Sequence, residues 1–125
     1  MTVVYDAGAL VAAERSNRRL WADHRARLEL GLVPLSTAPV VAQVSRSAQQ
    51  VQLRRFLRGC DVVPLAESDA HEVGALAGAS GVADVVDVHV VLVASRNRAS
   101  VLTSDDRDLS RVAGALPEPV ALIQV

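Results

Sequence analysis

The sequence predicts an α/β fold, a three-layer α/β/α arrangement around a mainly parallel central sheet of about five strands. Short β-rich runs such as "TVVY" and "SVLT" alternate with longer helical stretches, the pattern of a parallel sheet covered on both faces. Half of the residues are apolar, mostly Val, Ala and Leu, and only Tyr5, Trp21 and Phe56 are aromatic, so the core is built on aliphatic packing. At 125 residues the chain reads as one domain, residues 1–125, with no repeat, low-complexity segment or interdomain linker.

The first strand, "TVVY" (2–5), ends at Asp6-Ala7-Gly8. Two helices follow, "ALVAAERS" (9–16) and "RRLWADHRARLELG" (18–31). In the second, Leu20, Trp21, His24 and Leu28 recur at near-helical spacing, and Gly31 ends it. "LVPLS" (32–36) is the second strand. "APVVAQVSRSA" (38–48) starts a helix with Pro39 in its first turn, where the missing N–H is tolerated. "QVQLRRFLRG" (50–59) gives another, with Leu53, Phe56 and Leu57 inward. "DVVPL" (61–65) is a weak strand, and Pro64 assigns it to a sheet edge. Asp69 and Glu72 have the spacing of a capping box opening "AHEVGALAGASG" (70–81). In "ADVVDVHVVLVASRN" (83–97) the valines and the V-D-V-H-V alternation favour a strand, whereas the length and the strand just after it favour a buried helix; helix is the reading adopted. The strand "SVLT" (100–103), a helix within "TSDDRDLSRVAGAL" (103–116) and the strand "VALIQV" (120–125) complete the order.

Composition excludes several classes. All thirteen basic residues are arginine. Without lysine there is no Walker A phosphate loop, no Schiff-base chemistry, and no support for a phosphoacceptor receiver domain, which resembles this pattern but uses a lysine near its aspartates. No apolar run approaches the roughly 20 residues of a membrane span, and "MTVVYDAGAL" lacks the basic and long apolar regions of a secretory signal. The single cysteine, Cys60, forms no internal disulfide and fits a reducing cytoplasm. Cys60, His24, His71 and His89 show no zinc-ligand spacing.

The carboxylates carry the chemistry. In parallel sheets the ligand site lies beyond the carboxyl ends of the strands. Asp6 follows the first strand and Asp105 follows "SVLT", so both are expected at that edge, and Asp84 and Asp87 open the long helix nearby. Asp84-x-x-Asp87 and Asp105-x-x-Asp108 also fit plain helix capping. Asp106 reads as solvated, whereas Asp6, straight after "VVY", reads as more than a cap. Two carboxylates about 4 Å apart repel by about 4 kcal/mol at an effective dielectric of about 20. Hard oxygen donors in such a cluster suit Mg²⁺ or Mn²⁺. An ion so held supports phosphodiester hydrolysis by activated water. Arg15, Arg18, Arg19, Arg46, Arg96, Arg98 and Arg107 are available for a rim that meets a nucleic acid, or for a solvated helix face.

The blocks "VVYDAGALVAAE", "PVVAQVSR", "DVVDVHVVLVA" and "VLTSDDRDL" resemble, in order and spacing over essentially the whole chain, PIN-domain ribonucleases of the bacterial VapC toxin type. The resemblance implies a PIN-like fold and a Mg²⁺- or Mn²⁺-dependent endoribonuclease that cuts RNA in the bacterial cytoplasm. It also implies a homodimer neutralised by a VapB-like antitoxin. Asp6, Asp87 and Asp105 match the metal-binding, catalytic acids; Asp84, Asp108 and Thr103 are supporting residues. Gln43 departs from the pattern. The family has a glutamate in "PVVAEVWR", and an amide hydrogen-bonds but supplies no negative charge. An actinobacterial subgroup is similar in having glutamine there, which points to an actinobacterial source. Glu14, about two helical turns beyond Asp6, reads as structural. The alternative is a catalytically weak or inactive PIN-like module that binds an antitoxin or RNA.

Overall fold

The computed structural model describes residues 2–125; Met1, the first residue of the expected domain span, lies outside them. Five strands, β1 (Val3–Tyr5), β2 (Leu35–Thr37), β3 (Asp61–Val63), β4 (Ser100–Thr103) and β5 (Leu122–Gln124), form one sheet in the order β3-β2-β1-β4-β5. Every pairing is parallel. The helices among the described residues are α1 (Ala7–Glu14), α2 (Arg18–Glu29), α3 (Ala38–Val44), α4 (Val51–Leu57), α5 (Glu67–Ser80), α6 (Val85–Arg96) and α7 (Arg107–Gly114). Helix α1 packs with α2, α3 and α4; α6 packs with α5 and α7. The strand order reverses between β1 and β4, and that switch point opens a crevice at the strands' carboxyl ends.

The sheet centre is the core. Val3, Val4 and Tyr5 of β1 and all four residues of β4 are buried. Helix α6 is buried without interruption from Val88 to Ala94. A helix apolar all round is a core helix, and this burial outweighs the weak helix preference of its valines. It settles the ambiguous segment as helix. Strand β3 lies at the sheet edge as expected, but it ends at Val63, so Pro64 and Leu65 of the expected strand lie just past it. The chain's three aromatics meet on the α2/α4 side. Tyr5 lies 4.8 Å from Phe56, and Phe56 lies 5.0 Å from Trp21, between ring centroids. The Tyr5 hydroxyl and His24 Nδ1 are hydrogen-bonded at 2.8 Å.

Some boundaries differ from the sequence reading. Strand β2 starts at Leu35 rather than at residue 32, and α3 ends at Val44 instead of running to 48. Beyond Val44, Gln50 folds its side chain back onto Val44 O and the amides of Arg46 and Ser47, making a turn in place of further helix. The capping box is corrected too. Helix α5 starts at Glu67 after Ala66, which has no capping side chain. Asp69 is the third helical residue, and its carboxylate accepts from Ala66 N at 3.1 Å. Glu72 turns instead to Arg96. Glu14 is structural as expected: its carboxylate accepts from Leu53 N at 2.8 Å, capping α4 across the chain. Burial pushes the Cys60 thiol up to about 12, with Asp61 adding to the shift, so it carries no reactive thiolate.

Candidate metal centre

Asp6 leaves β1 and caps α1. Its backbone N–H donates to Leu102 O at 3.1 Å, tying it to β4, and its Oδ1 accepts from Ala9 N at 2.9 Å. Capping is therefore part of its role. It is also 7% exposed, unusual for an acid with no basic partner among the described residues. Burial pushes its pKa up, while the Thr103 hydroxyl and the Ala9 and Gly8 amides pull it down. Thr103, fully buried at the end of β4, has its hydroxyl 3.0 Å from the Asp105 amide, which it accepts from.

Asp84 caps α6, its Oδ1 accepting from Val86 N at 2.9 Å and Asp87 N at 3.4 Å. Asp87 follows in the first turn, half-buried. Burial, then the charges of Asp84, Asp6, Asp108 and Asp105, push its carboxyl up to about 6. Asp84 is a helix-turn neighbour, whereas Asp6, Asp105 and Asp108 come from distant parts of the sequence. Asp6, Gln43, Asp84, Asp87, Asp105 and Asp108 line one open cavity of about 590 Å³.

Asp105 behaves differently. The Arg107 guanidinium grips it, Nε to Oδ1 at 3.2 Å and Nη2 to Oδ2 at 2.9 Å, and the Arg107 amide donates to Oδ1 at 3.2 Å. Arg107 holds this carboxyl down to about 2. Asp105 is not the helix cap that the spacing suggested. Asp106 occupies that position, without a side-chain hydrogen bond. Asp108 faces Arg111 at 3.9 Å.

Several lining residues carry no local signal in the sequence: Gly8, Ser104 and Arg111. A Cβ on Gly8 would lie 2.0 Å from Ser104 Oγ and 3.1 Å from Ser104 N, so only glycine lets α1 approach the loop after β4 this closely. The one hint is Gly8 standing two residues after Asp6, but the partner it spares is nearly a hundred residues away. Of the arginines considered for the rim, Arg107 lines the cavity, whereas Arg96 sits at the far end of α6 with Asp69 and Glu72.

The donors suit a hard divalent ion in kind: they are oxygens, and most are carboxylates. Among the described residues, no three His, Cys, Asp or Glu side chains stand close enough to hold an ion between them. Asp105 is held by Arg107 rather than by the other acids.

The family model described as PIN domain matches residues 3–115. No curated protein sequence matches the chain. Among solved structures, the crystal structure of VapBC2 from Rickettsia felis bound to a DNA fragment from their promoter superposes with a TM-score of 0.72 at 15% identity, covering 100% of this chain and 99% of that one. PAE2754 from Pyrobaculum aerophilum superposes with a TM-score of 0.68 at 18% identity, covering 100% and 90%. At these identities the likeness concerns the fold.

Proposed function

Since the chain belongs to the PIN domain family, whose members are generally nucleases, we propose that it is a metal-dependent endoribonuclease toxin of a VapBC-type toxin–antitoxin module. The observation that carries this reading is the gathering of Asp6, Asp84, Asp87, Asp105 and Asp108 around one cavity at the sheet's switch point, where burial and then the neighbouring acids push Asp87 up to about 6. RNA is the substrate, a VapB-like antitoxin the protein partner, a homodimer the assembly and the bacterial cytoplasm the compartment. Among the described residues no single helix is long and apolar enough to cross a membrane.

Asp6, Asp87 and Asp105 would hold Mg²⁺ or Mn²⁺, which when bound supplies a polarised phosphate and a water of lowered pKa. The chain's own residues do the rest. The Ala9 amide fixes the Asp6 carboxylate, so one donor is preorganised. Asp84 fixes the start of α6 and with it Asp87. Arg107 and Arg111 at the rim offer guanidinium groups to phosphate oxygens; a phosphate on Arg107 would free Asp105 for the ion. Gln43 and Ser104 provide hydrogen bonds to water or phosphate without adding charge.

The test is RNA cleavage by purified protein with Mg²⁺ or Mn²⁺, beside Asp6→Asn. Cleavage that requires the metal and disappears in the variant is expected. No cleavage with either ion, or an unaffected variant, sinks the reading. A second reading, a PIN-like module that binds RNA or an antitoxin with little or no catalysis, draws on Gln43 in the acidic cavity and on the lack of three closely grouped ligands. The cleavage assay separates the two, and Gln43→Glu tests whether the amide takes part in ion binding. If charge limits ion binding, this variant binds Mn²⁺ more tightly in a calorimetric titration; unchanged affinity removes Gln43 from the site.

A further inference from the structure

An acidic cavity cannot attract a polyanion by itself, so an RNA strand cut there needs a cationic foothold elsewhere on the surface. Three depressions follow α1. At its N-terminal end is the acidic cavity, with Asp6, Ala7, Gly8 and Gln43. Next comes a groove lined by Val11, Glu14, Arg15, Val44 and Gln50. At the C-terminal end lies a pocket of about 310 Å³ lined by Ser16, Arg18, Trp21, Ala22, Arg25, Gln52 and Arg55. Adjacent residues border each pair of depressions: Gln43 with Val44, and Arg15 with Ser16. The eight residues of α1 rise about 12 Å, so the ends of this track are a few nucleotides apart.

The last pocket differs in charge from its neighbours. The acidic cavity is rich in aspartate, the groove holds Glu14, and the depression beside β5 holds Glu118; the pocket at Trp21 has no acidic lining. Arg18, Arg25 and Arg55 are exposed and have no ion pair among the described residues, and the nearby Asp23 is taken by Arg27. The indole is pinned: its Nε1 donates to Ala13 O at 2.9 Å and its edge meets Phe56. The Arg55 guanidinium lies over the ring, 5.8 Å from its centroid, and donates to Gln52 Oε1 at 3.3 Å. A planar cation backed by an indole offers a stacking face, with further cations beside it for phosphate.

We propose that the Arg18, Arg25, Arg55 and Trp21 pocket binds a nucleotide of the RNA strand away from the cut, its base stacked on the Arg55 guanidinium and its phosphodiester on Arg18 and Arg25. The proposal rests on RNA being the substrate. An acidic protein segment would satisfy the charges but would make no use of the stacking face.

The test measures binding of a single-stranded RNA oligonucleotide by fluorescence anisotropy, in the Asp6→Asn background so that the RNA stays intact, over a series of salt concentrations. The Arg18→Ala, Arg25→Ala, Arg55→Ala combination weakens binding at least about tenfold and lowers the log–log salt slope by about 0.7 for each phosphate no longer neutralised. Arg58→Ala, on the same face of the sheet but outside the pocket, weakens it far less. Arg25→Glu repeats the test with a single exposed residue. Arg55→Lys keeps the charge and loses the plane, and weakens binding several-fold. Unchanged affinity and slope in the triple variant overturn the pocket, and an unchanged Arg55→Lys overturns the stacking. Equal displacement of the RNA by polyglutamate assigns the pocket to acidic protein instead. Arginine-dependent binding in a protein that does not cleave RNA supports the pocket and overturns the nuclease reading. Cleavage without that dependence does the reverse.

Discussion

Both ends of α6 gather carboxylates, and the fold treats them in opposite ways. At the C-terminal end Arg96 takes Asp69 at 2.8 Å and also pairs with Glu72, and Asp69 is held below the usual carboxylate range. At the N-terminal end Asp84 and Asp87 face Asp6, Asp105 and Asp108, and Asp87 is held above it. A cation written into the sequence balances one end. At the other end Arg107 takes Asp105 and Arg111 faces Asp108, but Asp6, Asp84 and Asp87 have no ion pair among the described residues. Acid count alone does not mark a site; acid left without a paired base, in a crevice at a topological switch point, does.

The largest expected contrast is in catalysis. Asp6→Asn removes a fixed, buried carboxylate from the unbalanced end and lowers Mn²⁺-dependent RNA cleavage by about a hundredfold or more. Arg96→Ala disturbs only the balanced end and leaves the rate within about twofold. Equal losses, read as initial rates under the same conditions, would remove the distinction between the ends.

Next is the wall of the acidic cavity. Gly8→Ala drives a methyl group into Ser104 and destabilises the protein by about 1–3 kcal/mol in urea denaturation. Adding Ser104→Gly removes the hydroxyl and Cβ but not the backbone N at 3.1 Å, so it recovers part of the loss. Additive effects in this double-mutant cycle would mean that the two residues do not meet as described.

That Asp6, Asp84, Asp87 and Asp105 gather at one crevice was legible in the sequence because strand ends and helix starts can be read locally, and alternation places them on one sheet edge. The α/β class, the edge strand at Pro64 and the helix through the valine-rich segment were legible for the same reason. The start of α5 was not, because Ala66 carries no capping side chain and Asp69 displays the cap signal three residues late. The role of Gly8 was not legible because its close approach is tertiary. The Arg107 grip on Asp105 follows from a rotamer, which spacing does not encode. His89 is fully buried with no hydrogen-bond partner on either ring nitrogen, and burial pushes its pKa down; no residue around it in sequence announces that.

The two ends should also respond oppositely to pH. The folded pKa of Asp87 lies above its unfolded value, so the native state favours the protonated form. Its contribution is fully present below about pH 4 and is lost as pH rises through about 6. A two-unit shift corresponds to about 2.7 kcal/mol, and solvent at this half-exposed group reduces that to about 1 kcal/mol. Asp69 is depressed, so its contribution is present at neutral pH and lost on acidification through the lower carboxylate range. Urea titrations of metal-free protein from pH 4 to 7 should therefore show a downward term with rising pH that Asp87→Asn removes. If the slope survives in that variant, Asp87 is not its source.

The smallest effect tests the balanced end on its own terms. Arg96 bridges α6 to two acids of α5, but its side chain is 40% exposed and Glu72 57%. Exposed pairs contribute about 0.2–1 kcal/mol, screened by salt. Arg96→Ala should cost no more than about 1 kcal/mol in urea, and less at high salt. It also leaves Asp69 able to accept from Ala66 N, so the start of α5 stays formed. Mn²⁺ should bind this variant as it binds the parent, because the acids it uncovers remain solvated and lie a helix length from the crevice. If Mn²⁺ instead stabilised Arg96→Ala more than the parent, unpaired acid at either end of α6 would suffice to attract the ion, and the crevice would lose its special standing.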